Sequence, residues 1–409
     1  MSTLLQIDEP AAPARPRPSL QAFLEMGFRP LYLAGTAWAL VAVALWIFAP
    51  QWLHGPLGGV AWHAHEMMWG FVATIAVGFL MTAGANWTGV NPTPPGTLLA
   101  VCALWLLARI GLLVPSHTLF WLGFGAEGAF FLLSAAAMAR AIYGTRNRRN
   151  YAVPLLLLAL GITDVLYLLA ALGGDHTLLM QRFNAGLLCM AVVALLVGRR
   201  VIPFFAMRAV PGLTIPMHER SGLVQLGAGA LAVLFVLLQW PWPLALALLV
   251  CGGIPLWQLL GWKPLAVRSR PLLWILYAGY AGLGAGLLVA AAQAAGAPLR
   301  NAVHVHVIAM GGFSLMIIGM VTRTALGHLG RPLATDRSMV ASYWLMVLAV
   351  ALRLAGLFPS GPVLLLLQGA ALCWIAALAL YLWRFFPWMI RPRPEHKPQV
   401  ATVTLGQRT

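Results

Sequence analysis

The chain reads as long apolar runs separated by short polar breaks. Twelve runs approach the roughly 20 residues that a membrane-spanning helix needs. They cover residues 30–49, 62–84, 97–114, 118–142, 152–171, 180–198, 222–239, 242–260, 272–292, 301–322, 339–357 and 362–386. The narrowest break, "QWPWP", separates the seventh and eighth runs. This pattern predicts an all-α polytopic membrane protein with twelve transmembrane helices. A single membrane domain over 29–387 is flanked by tails at 1–28 and 388–409. The first tail ("PAAPARPRPS") is Pro-rich and lacks the apolar stretch of a signal peptide, so both tails are read as disordered.

Composition supports the membrane reading. Apolar residues make up 61% of the chain and charged residues only 9%, against about 25% charged in soluble domains. The net charge of +16 does not point to nucleic acid, because the basic residues sit in short breaks rather than on one soluble face. They act as topology signals. With the N-terminus in the cytoplasm, all but four of the 26 Lys and Arg residues fall on the cytoplasmic side. Both termini are therefore expected inside, with the protein in a bacterial inner membrane among lipid. The four cysteines, Cys102, Cys189, Cys251 and Cys373, stand isolated in apolar runs. With no Cys-x-x-Cys, neither a thiolate zinc site nor covalent haem attachment is indicated.

The second run opens with "AWHAHEMMWG" and the tenth with "HVHVIAMGG". Laid over each other, His63 matches His304 and His65 matches His306. Gly70, Gly78 and Gly89 then fall on Gly311, Gly319 and Gly330. Both pairs begin helices that run inward, which puts the four histidines of order 3–8 Å below the outer face. Residues two apart on a helix point to nearly opposite sides, so one helix can serve two sites. Buried imidazoles of this kind face a cavity or a partner, and they ligate iron, copper or zinc. Haem suits apolar helices best, since it needs only axial ligands from the protein. The alternative is a set of hydrogen-bonded interfacial histidines.

The four exceptions to the charge rule are Arg109, Arg182, Arg300 and Arg353. All lie at the level of the histidines, where guanidinium could pair with haem propionates or snorkel to headgroups. Three acids lie in the outer half: Glu66, Glu127 and Asp164. Glu66 follows His63 by three positions and is expected on its face. These acids could relay protons, orient a ligating histidine or pair with an embedded arginine. His328 and Arg323, in "VTRTALGHLGRP", read as a structural turn. His54, His117, His176, His218 and His396 read as solvated, with His54 and His176 on the outer side as further candidate ligands.

"HAHEMMWGF", "GRRVIPFF" and "GGFSLMIIGMVTRTALGHLGRP" together resemble the NnrS family over about residues 20–390. That resemblance implies a bacterial inner-membrane protein holding haem and copper, tied to denitrification and resistance to nitric oxide. The architecture also resembles haem-copper oxidases and nitric oxide reductases. There a histidine on helix 2 and a His-x-His on helix 10 hold two haems. The helix 6 and 7 histidines of that group have no counterpart within the predicted sixth and seventh runs here, which puts an ordinary binuclear centre in doubt.

The expected function is binding and reduction of nitric oxide at a haem near the periplasmic face. Two b-type haems would be held by His63, His65, His304 and His306, electrons would come from a quinol or another donor, and copper is a further candidate. The competing readings are a nitric oxide sensor or sequestering protein, or a transporter of copper or a small solute. A transporter more typically places its polar groups at the midplane.

Overall fold

The computed structural model describes residues 17–358 and 361–394. Among these the chain is all helical, and twelve helices are long and apolar enough to cross a membrane. We label them α1 (Phe28–Phe48), α2 (Gly59–Thr88), α3 (Pro95–Leu113), α4 (His117–Gly144), α5 (Arg148–Gly173), α6 (His176–Ala209), α7 (Glu219–Leu238), α8 (Pro241–Gly261), α9 (Pro271–Ala294), α10 (Ala302–His328), α11 (Arg337–Ala355) and α12 (Val363–Met389). The protein is a multi-pass membrane protein.

Local chemistry sets the helix ends. Ser116, Asp175 and Asp336 cap α4, α6 and α11 by accepting amide hydrogens of the first turn. Pro95, Pro241 and Pro271 occupy first-turn positions, where no amide hydrogen is needed. Gly89 ends α2 with φ of 73°, and Gly330 follows α10 with φ of 66°. Glycine adopts this left-handed conformation at little cost. The matched glycines of the two His-x-His segments thus end their helices alike.

Apart from α2 and α3, helices adjacent in sequence pack side by side; α2 lies against α4, and α12 returns onto α1. Inside this closed arrangement α2, α6 and α10 touch one another. The central windows of α2 and α6 are 83% buried, against 28% for α7, α11 and α12. The site is therefore built on the most enclosed helices. Outward side chains such as Leu132, Leu155 and Trp383 remain apolar although exposed, as a lipid-facing surface requires.

The assigned tails fall partly outside the described residues, at 1–16 and 395–409. The rest carries structure. Leu20–Phe23 is a helical turn, and the Ser19 amide donates to the Ile390 carbonyl at 2.9 Å. Arg29 ties the same region together, donating to the carbonyls of Met389 (3.1 Å) and Arg391 (2.7 Å). Structure thus begins before residue 29 and continues past 387.

Candidate functional site

Both His-x-His segments end in a switch of backbone geometry. α2 is α-helical through His65 and π-helical over Glu66–Ala73. α10 is α-helical through His306 and π-helical over Val307–Ser314. The two π segments occupy matched positions and touch each other. Such widened turns concentrate at functional sites.

The i, i+2 spacing then sorts the histidines into two environments. His63 and His306 line one cavity of about 330 Å³, bounded by α1, α2, α6, α10 and α12. Its walls are largely apolar, with Trp46, Met67, Phe71, Phe183 and Trp374 among them. The His63 ring stacks on Trp46 at 5.0 Å and 11°, and its Nδ1 is buried without a hydrogen bond. His306 Nδ1 donates to the Ala302 carbonyl at 2.8 Å. That bond fixes the tautomer and leaves Nε2 as the ring's acceptor. Arg353 and His176 also line this cavity.

His65 and His304 face away from it. His65 is fully buried, with Nδ1 at 2.9 Å from Glu66 Oε1 and Nε2 at 2.8 Å from Asp164 Oδ1. Trp69 and Tyr167 stack near its ring. Two hydrogen bonds to two carboxyl groups require two protons in the trio Glu66, His65 and Asp164. Glu66 also accepts from Trp38 Nε1 at 2.5 Å and pairs with Arg109, which pairs in turn with Glu127. A Cβ at Gly70 would overlap Arg109 Nη1 and Glu66 Oε2, so glycine makes room for the ion pair. His304 lies between two amide side chains, Gln293 Oε1 at 2.7 Å and Asn184 Oδ1 at 3.0 Å.

Several sequence expectations shift accordingly. Glu66 turns to the side of His65 rather than His63, because Trp38 and Arg109 supply its donors there. All three acids, Glu66, Glu127 and Asp164, come together in one buried cluster. Of the four arginines, Arg353 lines the cavity, while Arg109 is engaged by Glu66 and Glu127. Arg300 donates to the Leu357 carbonyl at 3.2 Å, and Arg182 makes no ion pair among the described residues. His176 begins α6, four residues before the predicted start, because the Asp175 cap extends the helix beyond its most apolar part. His328 rests on Phe28 (5.5 Å) and Arg323 on the Phe205 ring (3.9 Å). His54 and His117 are exposed, and His396 lies outside the described residues. Sequence reasoning passed over Trp46, Asn184 and Gln293. The last two were visible as amide side chains inside apolar runs.

Twelve membrane-spanning helices, with two histidines facing one largely apolar cavity between them, define a polytopic membrane protein. The sequence matches the family described as NnrS protein over residues 22–393, nearly the whole chain. The protein belongs to the NnrS family, and membership gives it a role in nitric oxide metabolism in general. No curated protein matches the chain.

Proposed function

We propose that the cavity holds a b-type haem and that the protein binds nitric oxide there and reduces it. The single observation that carries this reading is the convergence of His63 and His306 on one apolar cavity. Its volume falls within the about 300–1,000 Å³ usual for cofactor pockets. The residues fit the group. His63 brings a buried, unpartnered ring nitrogen, His306 has its ring oriented by a backbone carbonyl, and Arg353 offers a cation to a propionate. A haem would supply an iron that binds a diatomic gas and exchanges single electrons.

The remaining roles belong to the chain itself. Stacking on Trp46 and the Ala302 bond hold the two imidazoles in place. Apolar walls keep bulk water away. Reduction of two nitric oxide molecules to nitrous oxide and water takes up two electrons and two protons. Glu66, Glu127 and Asp164 form a buried acid cluster near the cavity and are the proposed proton carriers. A quinol is the proposed electron donor. The charge asymmetry along the sequence supports cytoplasmic termini, a periplasmic-side cavity and insertion in the bacterial inner membrane.

A second haem on His65 and His304 finds no support, because all four of their ring nitrogens are hydrogen-bonded already. For the copper implied by the family resemblance, the candidate donor set is His65, Glu127 and Asp164. One ligand atom from each lies within 4.8 Å of the others. Copper there requires the His65–Asp164 bond to open. A second reading, a nitric oxide sensor or sequestering protein, follows if both His63 and His306 stay bound to one iron. The test is an optical and paramagnetic resonance spectrum of the purified reduced protein with and without nitric oxide, in wild type and in His63→Ala and His306→Ala. Haem absorbance shifted by nitric oxide, and lost in both variants, is expected. Absence of haem from the wild type would overturn the reading. Binding without turnover would favour the sensor.

A further inference from the structure

Deeper along α2, α6 and α10 lies a second cavity of about 70 Å³. Ile75, Phe79, Met190, Val193 and Met316 are among its walls. Its polar contributor is Tyr32, whose hydroxyl is hydrogen-bonded with Thr324 Oγ1 at 3.1 Å. Val72 and Phe313 line both this cavity and the histidine cavity. They are equivalent residues: laying His63 on His304 also lays Val72 on Phe313. Each sits near the end of its π segment. The partition between the two cavities is thus one matched pair on two matched, touching stretches of widened helix.

We propose that the smaller cavity is a docking chamber for an uncharged diatomic gas, and that Val72 and Phe313 form the partition through which the gas reaches the histidine cavity. Size selects the guest. At about 70 Å³, against about 330 Å³ for the histidine cavity, the chamber has room for a few diatomic molecules but suits a quinol ring poorly. Polarity selects it again, since apolar cavities stay dry and take apolar guests. Position does so a third time, because the lining residues lie mid-helix and a neutral gas reaches them from the hydrocarbon. The arrangement also separates traffic. Gas moves between apolar walls on α2, α6 and α10, while the acids that could carry protons lie on α2, α4 and α5.

The inference rests on the haem reading in one of its two tests only. In the first, crystals of the full-length protein are pressurised with xenon. A xenon peak in the chamber of the wild type, lost in Ala194→Phe, is expected, and a chamber without xenon in the wild type overturns the proposal whether or not haem is bound. In the second, nitric oxide association with the reduced haem protein is followed by flash photolysis. Ala194→Phe, which fills the chamber, should slow association about tenfold. Val72→Ala, which thins the partition and adds no bulk, should speed it severalfold, so the test survives if Ala194→Phe does not fold. Unchanged association in Val72→Ala overturns the gate. If no haem is present, the nitric oxide reading fails while the xenon result still decides the chamber.

Discussion

His63 and His306 line one cavity, although superposing the two His-x-His segments pairs His63 with His304. The two helices therefore present different members of their pairs inward, and each keeps its other histidine for a polar partner. Backbone likeness and side-chain role have come apart between α2 and α10. Both keep the switch to π geometry and the left-handed terminal glycine, but not the assignment of histidines.

The sorting has a direct test in His304. Its ring nitrogens are taken up by Gln293 and Asn184, so His304→Ala removes two buried hydrogen bonds. A stability loss of about 1–3 kcal/mol is expected, read as a lower midpoint of thermal unfolding in detergent. Haem content per folded protein should stay near wild type, unlike that of His306→Ala. Equal haem loss in both variants would show that the two histidines share one role.

Arg109 is the counter-charge to two fully buried carboxylates, Glu66 and Glu127. Removing one partner of a buried pair leaves charge uncompensated, at a cost of about 3–5 kcal/mol. Arg109→Ala should therefore give little folded protein. Arg109→Met combined with Glu66→Gln and Glu127→Gln should recover much of the yield, because no orphaned charge remains. Size-exclusion profiles of the two variants compare them directly, and an equally poor triple variant would show that the cluster is needed for more than neutrality.

A third expectation concerns the fit of α9 against the π segment of α10. A Cβ on Gly282 would overlap the Gly311 carbonyl, and backbone cannot move aside as a flexible side chain can. Gly282→Ala should destabilise by about 1–3 kcal/mol. Because Gly311 lies in the same π segment as Phe313, the substitution should also perturb the His306 ring environment, visible as a change in the haem spectrum. A wild-type melting curve and spectrum would show that α9 and α10 are less tightly fitted.

The twelve spans were legible because lipid imposes apolarity on every outward face, leaving a signal along the whole run. The His-x-His pairs were legible because an ionisable group inside a span must have a partner. Their sorting was not, since spacing fixes the angle between His63 and His65 but not the rotation of α2 against α10. The π segments carry no compositional mark: "EMMWGFVA" and "VIAMGGFS" read as ordinary apolar helix. The sequence leaves Arg109 open to haem propionates, headgroups or the chain's own acids, and the structure pairs it with Glu66 and Glu127. That pairing joins α2, α3 and α4, a long-range meeting that no local pattern encodes. His176 was within reach, because the Asp175 cap announces the start of α6, but apolarity alone begins the run later.

The last prediction concerns Asp336, outside the spans, at the start of α11. Partial burial pushes its carboxyl up, but the Ser338 hydroxyl, the Met339 amide and the Arg384 guanidinium more than offset this and hold it below the usual range. The distances are 2.6 Å to Ser338, 3.0 Å to Met339 and 2.5 Å to Arg384 Nε. A carboxyl depressed by folding contributes stability that is fully present above its unfolded value, roughly pH 4. That contribution is lost as pH falls through the lower folded value. At neutral pH Asp336→Ala should cost about 0.5–2 kcal/mol, mostly from the lost helix cap. The half-exposed pair with Arg384 adds little to this because solvent screens it. Thermal unfolding of both proteins from pH 7 down to pH 3 should show the gap narrowing only below about pH 4. A gap that closes already between pH 7 and 5 would mean that some other group, not the Asp336 carboxylate, holds the start of α11.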